Sequence, residues 1–244
     1  MSKQNIFDDE TFFDSYKELR ERTNSNDLIE KPALFSLLPN LDGKAVVDLG
    51  CGFGEHCKEY VRLGAKVVCG IDISSKMLEV ARNVNADEKI IYREMAIENI
   101  NDLDMKFDLV VSSLAFHYVK DFDKVTKEIY KLLNDDGYLI FSQEHPFSTS
   151  FSSGERWTRN EKGEVLFANI SNYSCDGPRE SSWFIDNISK YHRTFSSIIN
   201  TLVKNGFVIE TFVEPIADET IIHDYPRFKD LIHKPDFLII KAKK

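Results

Sequence analysis

No stretch of this chain stays apolar for the roughly 20 residues a helix needs to cross a bilayer, so a membrane-spanning role is not expected. Positive charge is also in deficit. Lys and Arg number 31 against 40 Asp and Glu, a formal net charge of −9. A protein that grips a nucleic-acid backbone needs a basic surface, so DNA and RNA partners are disfavoured. Cysteine is sparse: Cys51, Cys57, Cys69 and Cys175 show no C-x-x-C spacing, and three of them fall in expected interior elements. They read as reduced thiols, with neither a metal site nor a disulfide. The opening Met1-Ser2-Lys3-Gln4-Asn5 runs into charged residues without an apolar signal core. The expectation is a cytoplasmic protein, monomer or homodimer, in a single domain over residues 1–244.

The chain does have core-forming residues (42% hydrophobic, 12% aromatic), and one stretch on which the rest is organised. Val46-Val47-Asp48-Leu49 reads as a short buried strand. Gly50, Gly52 and Gly54 follow at alternate positions, and Glu55 opens a helical pattern. Glycines directly after a strand allow a tight turn and let the backbone approach a ligand. In open α/β sheets ligands sit at that carboxyl end. The spacing is G-x-G-x-G, with Glu55 where a dinucleotide fingerprint has its third glycine. Asp48 would repel a pyrophosphate and suits a ligand bearing an amine or another cation. A second strand over 66–71 ends at Asp72, about 20 residues on, the interval at which an acid meets a ribose. Its two oxygens can accept from both hydroxyls.

Further strands are expected at 89–93, 107–112, 138–142, 207–213 and 236–242, the last exposed at one edge. Helices are expected over 7–22, from Pro32 to Pro39, after Glu55, after Ser74, from Asp121 to Asp136-Gly137, and from the Tyr191-His192-Arg193-Thr194 group onward. Residues 147–190 lose periodicity but keep Trp157, Phe167, Tyr173, Trp183 and Phe184. Disordered segments are poor in aromatics, so this reads as a short-stranded insertion acting as a lid.

Asp48-x-Gly50-x-Gly52-x-Gly54 resembles the first motif of the class I S-adenosylmethionine (SAM) methyltransferases. With Glu144-His145-Pro146, Tyr191 to Thr194, and Leu202-x-x-x-Gly206-Phe207, the whole chain is similar to small-molecule methyltransferases of the ubiquinone/menaquinone-biosynthesis-like superfamily. The resemblance implies an α/β, Rossmann-like, seven-stranded and mostly parallel sheet. Its order is 3-2-1-4-5-7-6, with the seventh strand antiparallel and helices on both faces. It implies SAM as cofactor and a small-molecule acceptor methylated on O or N. Residues carried over to the cofactor are Asp48, Gly50, Cys51, Gly52, Gly54, Asp72, Ile73, Met77 and Leu114. Ala96, Ile97 and Glu98 would meet the adenine, although Met95 stands where the pattern has an acid. Residues 1–40 would form a helical cover, with Tyr16 and Arg20 reaching the cofactor or an anionic acceptor.

Methyl transfer needs a base only if the acceptor still carries its proton. His117, His145 and His192 are the candidates, since histidine titrates in the right range; Glu144 is weaker. Tyr191 and Arg193 are expected near the acceptor. Two other readings remain: a nicotinamide-dependent oxidoreductase, and a SAM-binding protein that transfers nothing.

Overall fold

A computed structural model of the chain describes residues 5–151 and 154–244. The opening stretch Met1 to Gln4, read above for a signal segment, lies outside the described residues, as do Ser152 and Ser153 of the insertion.

A short turn at Ile6–Asp8 leads to α1 (Glu10–Glu21), whose first turn is capped by the Asp9 carboxylate accepting from Phe12 N–H at 2.9 Å. A helical turn at Asn26–Glu30 runs into α2 (Lys31–Ser36), with Pro32 in its first turn. Strands and helices then alternate: β1 (Ala45–Leu49), α3 (Glu55–Arg62), β2 (Val67–Asp72), α4 (Ser75–Val84), β3 (Ile90–Glu94), β4 (Phe107–Ser112), α5 (Phe122–Leu132) and β5 (Leu133–Glu144). The insertion contributes α6 (Pro146–Ser150) and two antiparallel hairpins, β6 (Trp157–Arg159) with β7 (Val165–Ala168), and β8 (Gly177–Ser181) with β9 (Ile188–His192). The chain closes with α7 (Phe195–Lys204), β10 (Val208–Val213), α8 (Glu219–Asp224) and β11 (Phe237–Lys243).

The main sheet has seven strands in the order β10-β11-β5-β4-β1-β2-β3. Its pairs are parallel except at β11, which runs antiparallel to both β5 and β10. Numbered within the sheet, this is 3-2-1-4-5-7-6, as the resemblance implied.

Alternation along the central strands divides the core in two. Val47, Leu49, Cys69 and Ile71 face Phe116, Phe122, Ile129 and, from α7, Ile198 and Leu202. Val46, Val68, Leu109 and Ile140 face Leu34, Tyr60 and Leu78. Period-two side-chain direction is what lets a continuous apolar strand serve both layers.

Three expectations are corrected. The last strand is not at an edge: β11 lies between β5 and β10 with five of its seven residues buried, and β10 is the alternately exposed edge strand. Helix α5 ends at Leu132 rather than at Asp136-Gly137, because β5 begins at Leu133. Tyr191 and His192 belong to β9; α7 starts at Phe195 with the Thr194 hydroxyl accepting from Ser197 N–H at 3.1 Å.

Candidate functional site

The glycine turn sits at the carboxyl ends of β1 and β2. Gly50 and Cys51 both donate their N–H to the Ile71 carbonyl, at 2.8 and 2.9 Å. Gly52 and Gly54 have φ of +52° and +76°, a region that side chains resist. Their surroundings differ. A Cβ on Gly52 would meet nothing within 4 Å, whereas one on Gly54 would collide with the Tyr92 ring and hydroxyl. Gly52 therefore leaves room for a ligand, and Gly54 leaves room for Tyr92. Gly54 does not line the cavity beside this turn, unlike the other cofactor residues expected from the sequence.

That cavity measures about 1060 Å³, at the upper end of the ~300–1,000 Å³ usual for small-molecule sites. At one end are two acids. The Asp72 carboxylate accepts from Gly52 N–H at 2.8 Å and Ser74 N–H at 2.9 Å. Asp48 is 1% exposed; one oxygen accepts from the Cys57 thiol at 3.6 Å, and the other has no partner among the described residues. Burial pushes the Asp48 pKa up to about 7; the Cys57 bond opposes the rise and the Asp72 and Glu30 charges add to it. Ile73, Met77, Ala96, Ile97 and Glu98 line the same end, while Met95 packs on the core.

Tyr16 and Arg20 of α1 reach the cavity, as do Cys51 and Leu114. Arg20 is clasped by Glu55 at 2.6 Å and Asp27 at 3.3 Å. Burial works against its charge, but Tyr16, Glu55 and Asp27 hold its pKa above the ordinary arginine value. Leu114 has φ of +53°, a strain of about 1–3 kcal/mol, held by its N–H donating to both the Ser142 hydroxyl and the Ser142 carbonyl. Sequence reading missed Glu30. It is 1% exposed, lines the cavity, and accepts from the Ser113 hydroxyl at 3.0 Å and from the Ser142 hydroxyl. Its signal was an acid inside an apolar helical run, Leu28-Ile29-Glu30, just before Pro32.

The three histidines separate. His117 is 4% exposed and lines the cavity. Glu144 N–H donates to its Nδ1 at 3.3 Å, which leaves the proton on Nε2, 4.0 Å from a Glu144 oxygen. Burial lowers its pKa to about 4 despite the Glu144 charge, so the ring is neutral at pH 7. His145 is fully buried, with Nδ1 accepting from Phe147 N–H at 3.1 Å and Nε2 against Glu214 at 2.8 Å. His192 is fully buried between the Thr149 hydroxyl at 2.9 Å and the Tyr173 carbonyl at 2.8 Å. Neither of these two lines the cavity. Both ring nitrogens of each are engaged, so the structure brings only His117 of the three to the cavity. Arg193 does not line it either: its guanidinium donates to the carbonyls of Phe116, Val119, Lys120 and Tyr191, bracing the turn after β4. Tyr191 does line it.

Residues 47–141 match the family model described as a methyltransferase domain. A Haemophilus influenzae protein is 41% identical over all of this chain and 98% of its own length. A SAM-dependent methyltransferase from Mesorhizobium loti, known by crystal structure, is 34% identical, with a TM-score of 0.80 over 88% of this chain and 97% of that one. The chain belongs to the SAM-dependent methyltransferases. More distantly, the malonyl-[acyl-carrier protein] O-methyltransferase of Pectobacterium atrosepticum is 31% identical over 53% of this chain, which spans about half (47%) of that protein's length.

The residues of this methyltransferase fit its cofactor. SAM carries an ammonium and a sulfonium, and the unpartnered Asp48 oxygen is a buried acceptor for a cation. Each Asp72 oxygen has accepted one backbone N–H and keeps a lone pair for a ribose hydroxyl. Open space over Gly52 allows backbone approach. Membership removes the nicotinamide oxidoreductase reading, and Glu55 at the third-glycine position agrees with that.

Proposed function

We propose that this enzyme transfers a methyl group to an oxygen or nitrogen of a small-molecule acceptor in the cytoplasm. SAM, when bound, supplies an electrophilic methyl on a positively charged sulfur. The chain's own part is to place an acceptor in line with that methyl and to keep water out.

One observation carries the reading. Besides the glycine turn, the cavity is walled by Tyr118, Trp157, Trp183 and Tyr191, contributed by the turn after β4 and the insertion. Trp183 stacks on Phe184 at 4.6 Å and meets Phe12 and Tyr16 of α1 edge-on at 5.6 and 6.1 Å. The insertion and the N-terminal helix thus share one aromatic cluster over the site, which suits them to act together as an acceptor cover. A covered, metabolite-sized space and a net charge of −9 both argue against a polyanionic acceptor. No helix among the described residues is long and apolar enough to cross a membrane. O-methyl transfer is the activity named for the Pectobacterium relative and supports oxygen as the accepting atom here.

The test uses SAM labelled in its methyl group. Label should pass to the low-molecular-mass fraction of a cell extract, and not to intact tRNA or folded protein. Replacing residues 150–185 by a short glycine-serine linker should spare SAM affinity and abolish that transfer. Efficient labelling of tRNA or protein, or transfer that survives loss of the segment, would refute the reading.

A further inference from the structure

The cavity is electrically polarised along its length. Its cofactor end, at the termini of β1 and β2 and against α1, carries five acids (Asp27, Asp48, Glu55, Asp72 and Glu98) against Arg20 and Lys31, with Glu30 midway, bonded to the Ser113 and Ser142 hydroxyls. The other end is built where β5 and β11 meet, Glu144 pairing in register with Phe237. There the sign reverses. Lys190 and Lys234 stand in the wall, with Lys120, Lys124 and Arg156 at the rim, against Asp121, Glu144 and Asp236. In a chain with nine more acids than bases, a local excess of cations facing a cavity calls for a reason.

The two wall lysines are held, not free-swinging. Lys234 is 6% exposed, donating to the Ser148 hydroxyl at 2.6 Å and to Asp236 at 3.0 Å, and lying over the Trp157 ring at 5.4 Å. Lys190 donates to Glu144 at 2.5 Å and sits 5.9 Å from the centre of the Tyr118 ring. An ammonium has three N–H donors. Lys190 spends one on Glu144 and Lys234 two on its partners, so donors remain for a ligand. His117 adds a neutral Nε2–H in the same wall. Burying a lysine costs free energy unless it is paired, and both of these are paired by carboxylates that also fix their direction.

We propose that the acceptor is a small acid: a carboxylate or phosphate on an aromatic or apolar body, its oxyanion gripped by Lys190 and Lys234. The tryptophans and Tyr118 flank the body, and the oxyanion lies at the cavity end remote from the acids that favour the cationic cofactor. This deepens the small-acceptor reading above and rests on it. It also moves anion recognition away from Arg20 and Arg193, whose guanidinium groups are already committed to Glu55 and Asp27 and to backbone carbonyls.

The test titrates the protein, saturated with S-adenosylhomocysteine, with four probes of one shape: benzoate, phenyl phosphate, benzamide and benzylamine. The saturating ligand blocks the cofactor end, so binding reports the other half. Either anion should bind at least tenfold tighter than benzamide, with benzylamine weakest; which anion wins distinguishes carboxylate from phosphate. Lys190→Gln leaves the Glu144 carboxylate uncompensated and should reverse the order toward benzylamine, while Lys190→Arg should keep it. Lys234→Gln should weaken anion binding; if it fails to fold, the Lys190 pair of variants still decides. Benzamide or benzylamine binding as tightly as the anions, or no anion binding at millimolar concentration, would overturn the proposal. If the wild type methylates tRNA or folded protein yet prefers the anionic probes, the small-acceptor reading falls and the oxyanion site stands.

Discussion

Gly52 donates its backbone N–H to the Asp72 carboxylate at 2.8 Å, tying the turn after β1 to the end of β2. The acid expected to meet the ribose and the glycine with open space above it are therefore positioned by each other. The same carboxylate accepts from Ser74, whose hydroxyl caps α4 through Met77 N–H at 3.0 Å. Preorganisation of this kind removes ordering cost from the binding step.

Asp72→Asn tests that arrangement. An amide has one acceptor oxygen where the carboxylate has two, and its NH₂ would face a backbone N–H. At least one charge-assisted bond to the ribose, worth about 1.5–3 kcal/mol, should be lost. SAM affinity should fall roughly tenfold or more. Calorimetry on the folded variant checks this; unchanged affinity would show that the ribose lies elsewhere.

Two neighbouring glycines should fail in different ways. Gly52→Val puts a side chain into open space, so SAM binding should vanish while the fold survives at a backbone cost of about 1–3 kcal/mol. Gly54→Val drives a side chain into Tyr92, so the melting temperature should drop further. Thermal denaturation and SAM titration on the same two proteins separate the effects.

Asp48 should make cofactor binding release a proton. With its pKa near 7, the buried carboxyl is about half protonated at neutral pH in the free protein. A cation placed beside it favours the ionised form and lowers that pKa. Affinity should therefore rise with pH up to about 7 and level off above, and weaken as pH falls below. Titrations at pH 7 in buffers of different ionisation enthalpy should give different apparent heats. Buffer-independent heats, or an Asp48→Asn variant with the same pH profile, would count against a cation at this oxygen.

His192→Ala should cost stability and leave SAM affinity alone. Both ring nitrogens are bonded, and removing the ring strands the Thr149 hydroxyl and the Tyr173 carbonyl in a buried place. The expected loss is about 1–3 kcal/mol in denaturant unfolding. A variant of full stability that had lost only transfer activity would restore His192 as a reacting group.

Local chemistry was enough to read the centre of this fold. β1 is apolar at every position but Asp48, so it had to be an interior strand, and glycines at alternate positions after it had to mark a turn open to a ligand. Asp72 was legible because an αβ unit has a nearly fixed length. The alternation of strand and helix from 45 to 144 follows from periodicity alone. What sequence could not decide depends on contacts between distant segments. Whether His117, His145 or His192 faces the cavity turns on the path of the chain after β5. Two of the three were taken up by the backbone and side chains of the insertion and by Glu214. Glu30 becomes part of the site only because the Asn26–Glu30 turn packs against Ser113, just past β4, and Ser142, near the end of β5. Lys234 reaches the cavity only because β11 inserts beside β5 and brings residues about 90 positions apart into register. Side chains at such separations meet through the order and register of strands in the sheet, which no local pattern encodes.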